Sequence, residues 1–288
     1  MTKHRRTGPR IVTFFHDTEQ DFDCDVKAID CIEAVDKFIA LEQKHGIKTT
    51  YNVVGKIIET QPELIAKIRN AGHELAFHSY SHDTNWRPEI FYNEVESCRR
   101  VDPQVQGYRS PRSQWDQTTI AAEVANQFGW TAESDKASEP YFISDSLVRL
   151  PICMDDWYFF TDREDKTAWL DNFEFQFERR NTLAIGFHDC YAALMGNSLF
   201  ELYDGVIQRA KDYGAIILPF GELATCFAHE NGKANLPNHS TAMNNGKAHE
   251  SALGDFRFRF NTDQILPFYP DRVKNFARKM IPNALLKR

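Results

Sequence analysis

No two of the six cysteines in this 288-residue chain are spaced as CxxC. They are scattered at positions 24, 31, 98, 153, 190 and 226, which reads as reduced thiols rather than a disulfide framework. No apolar h-region with a small-residue cleavage site follows the charged start MTKHRRTGPR, which runs straight into IVTFF. The expectation is therefore a cytoplasmic protein without a secretory signal. No run approaches ~18 apolar residues, so no transmembrane segment is expected. Basic charge is not in excess: the formal net charge is -7, which argues against a nucleic-acid partner, since that role leaves a basic footprint. No GxGxxG follows the first apolar run, which argues against a dinucleotide fold.

What is present is an ordinary core-forming composition, 42% hydrophobic, arranged as alternating strand-like and helix-like segments. IVTFFH (11–16), TTYNVV (49–54), HELAFHS (73–79), VQGYRS (105–110), WTAES (130–134), LVRLPI (147–152), TLAIGFH (182–188) and AIILPF (215–220) read as strands. Between them, residues 27–45, 62–72, 88–101, 117–129, 165–180, 199–213 and 221–227 read as helices. In the first of these, Ile29, Ile32, Val35, Phe38, Ile39 and Leu41 recur at helical spacing. Such alternation implies a parallel sheet covered by helices. Seven or eight units suggest an α/β barrel, with its site at the C-terminal strand ends.

Near residue 228 the composition changes. Residues 229–254 are rich in Asn, Gly, His, Ala and Ser without periodicity, and read as a linker or long loop. Residues 255–288 carry eight Lys or Arg against three Asp, with Phe256, Phe258, Phe260, Phe268 and Tyr269 between them. This C-terminal extension reads as a tail that packs on the barrel or orders in a homo-oligomer. The alternative is contact with an acidic membrane surface or a partner protein. The organisation expected is thus a barrel over 1–228, a linker over 229–254 and a basic, aromatic-containing tail over 255–288.

Polar residues gather at the expected strand ends. The first strand ends in HDTEQDFD, with Asp17, Glu19, Asp21 and Asp23; the third ends in His78 and continues to His82. Arg109 closes the fourth, Asp155, Asp156 and Trp157 follow the strand near 150, and His188-Asp189 ends the strand from 182. Histidines four apart on a helical turn share one face and can reach one ion. HSYSH lacks the glutamate of HExxH, so the metalloprotease reading is weak. Two histidines plus a carboxylate from 17–23 would form an open catalytic metal set. A solvated acidic loop accounts for Asp21 and Asp23 but not for Asp17 at the end of an apolar strand.

The order of these elements resembles the polysaccharide deacetylase family, also called NodB-homology or carbohydrate esterase 4, over about residues 11–225. Its five motifs appear as HDTEQDFD, His78-Ser-Tyr-Ser-His82, Arg109-Ser-Pro111, Asp155-Asp156-Trp157 and Leu183 to His188-Asp189. The resemblance implies a distorted (β/α)7 barrel and deacylation at one divalent metal ion, zinc first, with Co, Ni or Mn as alternatives. It makes His78 and His82 metal ligands and Asp17 the catalytic base. Arg109 would keep Asp17 ionised. His188 would be the acid that protonates the leaving amine, tuned by Asp156 or Asp155. Trp157 would wall the pocket, and the Arg112 backbone N–H would help stabilise the oxyanion.

The first motif departs from Thr-Phe-Asp-Asp-Gly. It looks like a D-x-[DE] variant, with Glu19 as third ligand and Asp21 as the alternative. Arg112-Ser113 replaces the usual glycine after the proline. These departures suggest an atypical branch. The function expected is a metal-dependent carbohydrate N-deacetylase releasing acetyl or formyl from a sugar, an intracellular precursor of a surface polysaccharide. The alternatives are a catalytically inactive carbohydrate-binding barrel, a hydrolase of a non-sugar amide, and a two-metal phosphoesterase.

Overall fold

The computed structural model of the chain describes residues 10–22, 24–85 and 87–233. The expected tail, all but the first five residues of the expected linker, and Asp23 lie outside them. The strands are β1 (Ile11–Thr18), β2 (Thr50–Val53), β3 (Glu74–Phe77), β4 (Gly107–Tyr108), β5 (Trp130–Ser134), β6 (Tyr141–Phe142), β7 (Val148–Ile152), β8 (Met154–Asp155), β9 (Thr182–His188) and β10 (Ile216–Ile217). The helices are α1 (Ala28–His45), α2 (Gly55–Thr60), α3 (Pro62–Asn70), α4 (Pro88–Val101), α5 (Gln117–Ala125), α6 (Trp157–Phe160), α7 (Lys166–Arg179), α8 (Asp189–Met195), α9 (Asn197–Asp212) and α10 (Phe220–Glu230).

The strands form one curled sheet in the order β6-β7-β5-β4-β3-β2-β1-β9-β8, with β10 beside the start of β1. Every pairing is parallel except β6 with β7. The (β/α)7 character lies in the run 148–155. Its first part pairs with β5, whereas Met154 and Asp155 pair with β9, so one strand changes partner midway and bridges the two sheet edges. Pro151 falls on the β5 side of that switch, where its missing N–H removes a ladder donor.

Burial on both faces explains why β1 is apolar almost throughout. Phe14 and His16 point outward, under the helices. Phe14 packs edge-on against Tyr203 of α9. His16 meets the Glu42 carboxylate of α1 at 2.7 Å, where Tyr51 and Tyr203 also donate to it. Phe15 and Asp17 take the opposite face, as period-two alternation requires. Phe15 joins Ala76, Trp130, Val148, Leu150, Ala184 and Phe220 in the barrel interior. Helix α10 plugs the N-terminal end: Phe220 N–H donates to Thr50 Oγ1 (2.8 Å) and Gly221 N–H to Glu74 Oε2 (2.9 Å). That leaves the C-terminal strand ends as the open face.

The interior admits its aromatics only because small residues face them. A Cβ on Gly107 would sit 1.9 Å from Trp130 Cζ2. Overpacking of this kind is destabilising. Gly107→Ala is therefore expected to lower unfolding stability by about 1–3 kcal/mol, read as a drop in the urea midpoint followed by tryptophan fluorescence.

All six cysteines are free. Among the described residues no helix is long and apolar enough to cross a membrane.

Candidate metal and catalytic site

β1 delivers Asp17 at its last inward position, and Glu19 follows two residues on, on the same side. The chain then turns through a short 3-10 segment at 20–22, which carries Asp21 into solvent. Glu19 is 2% exposed. Its Oε2 lies 3.3 Å from His78 Nε2 and 2.9 Å from His82 Nε2. Ligand atoms of Glu19, His78 and His82 all fall within 4.8 Å of one another. Glu19, not Asp21, is the carboxylate beside the two histidines.

The histidines do not stand on a helix. His78 ends β3, and a turn with Ser79 and His82 both at φ 57° brings the second ring beside the first, centroids 5.1 Å apart. The i, i+4 spacing therefore works through a left-handed turn rather than through helical phase.

This set fits a divalent cation. His78 Nδ1 is 3.2 Å from the Arg109 carbonyl. A proton there donates to that oxygen and leaves Nε2 as a lone pair facing Glu19. Among the described residues His82 Nδ1 is buried without a hydrogen-bond partner and Nε2 has only the Glu19 carboxylate beside it, as expected of a ring shaped for a different partner. One carboxylate and two imidazoles make a common open metal set. Burial alone would raise Glu19, but the hydrogen bonds and charge of the two histidines hold it well below the usual carboxylate range. Burial lowers His78 despite Asp17 and Glu19, which favours the neutral, ligating form.

Beside this trio stands Asp17, fully buried. Arg109 Nε donates to both its oxygens, at 2.7 and 3.0 Å, and Asn52 Nδ2 donates to Oδ1 at 2.8 Å. Burial opposes ionisation, but Arg109, His78 and His188 outweigh it and hold Asp17 below its ordinary value. Arg109 itself is fixed on its far side, with Nη1 donating to Ser113 Oγ at 2.9 Å and lying 3.6 Å from Glu133 Oε2.

His188, at the end of β9, places Nε2 3.4 Å from Asp17 Oδ2. Its Nδ1 is 2.6 Å from Asp156 Oδ1, and its N–H donates to Asp156 Oδ2 at 2.8 Å. Burial works against a charged imidazole, yet Asp156, Glu19 and Asp17 push His188 well above its ordinary value. The two candidate aspartates thus separate: Asp156 holds His188, while Asp155 accepts from the Trp157 N–H at 3.1 Å. Trp157 stands at the rim, 39% exposed, with its ring 5.9 Å from that of Tyr191. Tyr191 in turn packs on His188 at 4.4 Å. Arg112 is an exposed rim residue at φ 53°, followed by Ser113 at φ 50°.

Three further groups shape the site without having been assigned a part from the sequence. Asn52 is the one amide side chain in TTYNVV, facing inward opposite Asp17 in the β1–β2 register. Asp189, adjacent to His188, accepts from the backbone N–H groups of Glu19 (3.1 Å), Gln20 (3.2 Å) and Cys190 (2.8 Å), and so fixes the ligand loop. The Cys190 thiol donates to Glu19 Oε1 at 3.4 Å. Asn52 carried a usable signal, a lone inward polar residue in an apolar strand; Glu19 and Gln20 lie about 170 positions before Asp189 and Cys190, and that pairing gave none.

Comparison with known proteins agrees with this architecture. The polysaccharide deacetylase family model matches residues 21–132, which include His78, His82 and Arg109. No curated protein matches the sequence. A protein of Mycobacterium smegmatis described as a polysaccharide deacetylase superposes with a TM-score of 0.65 at 17% identity, over 78% of this chain and 93% of that one. A family 4 carbohydrate esterase from Streptomyces lividans gives 0.51 at 14% identity, over 72% and 91%. A CE4 family pseudoenzyme from Bacillus anthracis gives 0.54 at 14% identity, over 76% and 66%. At these identities the likeness speaks for the fold alone, and the family model matches residues 21–132 of the chain.

Proposed function

We propose that this chain is a metal-dependent N-deacetylase that hydrolyses the acetyl or formyl amide of a sugar. An intracellular precursor of a surface polysaccharide is the substrate class to test first. One observation carries the reading. A carboxylate held ionised by a guanidinium and an imidazole held cationic by a carboxylate stand 3.4 Å apart, beside three clustered ligand groups. Hydrolysis of an amide needs a base for the water and an acid for the amine, poised at opposite protonation states.

Glu19, His78 and His82 would hold the ion, which when bound supplies a Lewis acid for the acyl carbonyl and a water of lowered pKa. Asp17, ionised because Arg109 lies against it, takes the proton from the attacking water. His188 gives its Nε2 proton to the departing amine as the C–N bond breaks, and Asp156 keeps the ring oriented and charged. The products are the free amino sugar and acetate or formate. Trp157 walls the sugar, Asp155 fixes the start of α6 through the Trp157 amide, and the Arg112 backbone faces the developing oxyanion.

The inactive-barrel reading has a specific observation behind it, since a family 4 pseudoenzyme shares the fold. The intact set Asp17, His78, His82, Arg109 and His188 favours the enzyme. A release assay for acetate and formate over nucleotide sugars and oligosaccharides, with added Zn, Co, Ni or Mn, tests the choice. Turnover supports the enzyme. No turnover with any combination, together with sugar binding, supports the inactive barrel.

The metal assignment has its own check. Purified wild-type protein is expected to hold one ion per chain. Glu19→Ala and His82→Ala should each fall far below that stoichiometry by elemental analysis, while Asp21→Ala keeps it. Loss of metal in Asp21→Ala with retention in Glu19→Ala would reverse the ligand choice.

A further inference from the structure

We infer that Glu94 is a positioning residue that sets the metal affinity of the His78–His82 turn. The inference rests on the metal-dependent reading above. Ser79 and His82 both adopt φ 57°, a left-handed conformation that residues with a Cβ rarely take and that persists only where the surroundings hold it.

Two opposed sets of hydrogen bonds hold it. On one side the first amides of α2 reach the turn's carbonyls, with Gly55 N–H on Ser79 O and Lys56 N–H on Tyr80 O, both at 2.9 Å. The approach is close enough that a Cβ on Gly55 would lie 2.8 Å from Tyr80 Cδ2. On the other side the Glu94 carboxylate collects the turn's donors. Its Oε2 accepts from the N–H of Tyr80 (3.0 Å) and of Ser81 (2.7 Å), and its Oε1 accepts from the Ser81 hydroxyl (2.7 Å). Within the turn, Ser79 Oγ accepts from the His82 N–H at 3.0 Å.

Glu94 lies in the middle of α4 and is 7% exposed. Its hydrogen bonds go to the turn and none to either histidine. It therefore acts on the site only through backbone placement. The bracket explains how a non-glycine turn can present a second imidazole whose nitrogens meet only the Glu19 carboxylate among the described residues. Groups that orient a metal ligand from behind typically change affinity by about 10–100-fold when removed.

The chemistry of the bracket selects the variants. In Glu94→Gln the amide oxygen can take the place of Oε2 and accept both N–H groups, while its NH2 donates to the Ser81 hydroxyl. In Glu94→Asp the charge stays but the carboxylate is drawn back by one methylene. Co(II) titration of the full chain, read by visible absorption and by competition with a chelator, should show Glu94→Ala and Glu94→Asp weakened about 10–100-fold and Glu94→Gln close to wild type. Thermal unfolding of the metal-free variants reports the fold separately, and if Glu94→Ala does not fold, the Asp and Gln pair carries the comparison. Wild-type affinity in Glu94→Asp, or a loss in Glu94→Gln as large as in Glu94→Asp, overturns the inference. A wild-type protein that binds no Co(II) or Zn(II) overturns instead the metal-dependent reading, and the inference with it.

Discussion

Asp17→Asn is expected to abolish measurable turnover while leaving the ion bound. The substitution keeps the shape of the side chain and an oxygen where Asn52 and Arg109 donate. It removes the negative charge that would accept a proton from water. General-base assistance typically contributes about 10²–10⁴-fold, so a fall of at least that order in kcat is expected, without a matching rise in KM. Metal content should stay near one per chain, because Glu19, His78 and His82 form the ligand cluster without Asp17. The fold should also survive, since Arg109 retains Ser113 and Glu133 on its other side. Measuring metal stoichiometry and acetate or formate release on the same preparation makes the result decisive. A variant with full activity removes Asp17 as base, and a variant that loses its metal reassigns it to the ligand set.

Much of this architecture was legible from local pattern. The apolar run 11–16 marked β1 and put Asp17 at its end, and strand alternation then places Glu19 on the side of Asp17. What broke the pattern was the turn at 20–22, which sends Asp21 outward; a run of acids two apart does not reveal where a strand ends. Helices α2, α6 and α8, with six, four and seven residues, are too short to show a helical period. The strand exchange at 148–155 reads as one apolar run in sequence, and only the pairing reveals two partners. Site residues that act through backbone amides were the least visible. Asp189 takes only backbone N–H groups, and Glu94 takes two of them and a single serine hydroxyl, so little in the turns they hold marks them.

Arg109→Met should show how much of the site rests on one guanidinium. Asp17 and Glu133 both face Arg109, and all three side chains are almost wholly buried. Glu133 is already pushed up to about 7 by burial, despite Arg109 and Arg149, so it can take a proton when the cation is removed. Asp17 is different: it is held low chiefly by Arg109 against its own burial. Without Arg109 its folded pKa rises. Removing one partner of a buried pair costs about 3–5 kcal/mol, and a loss of that order is expected in urea unfolding near neutral pH. The sign with pH follows. A carboxyl whose folded pKa lies above its unfolded value favours unfolding as pH rises between the two, because the unfolded chain releases the proton more easily. The stability gap to wild type should therefore widen from mildly acidic to mildly alkaline pH. In wild type the depressed Asp17 instead contributes stability above its unfolded pKa, lost only as pH falls through the folded one. Catalysis should move in parallel. The base must be ionised and His188 protonated, so the wild-type rate is expected to be flat between a low Asp17 and a high His188. In Arg109→Met the acid limb of kcat/KM should shift to higher pH and narrow that plateau. Arg109→Lys, which restores the charge but not the grip on Ser113, should return the acid limb toward wild type at a lower maximum. An unshifted acid limb in Arg109→Met, with activity merely scaled down, would mean that Arg109 orients Asp17 without tuning it.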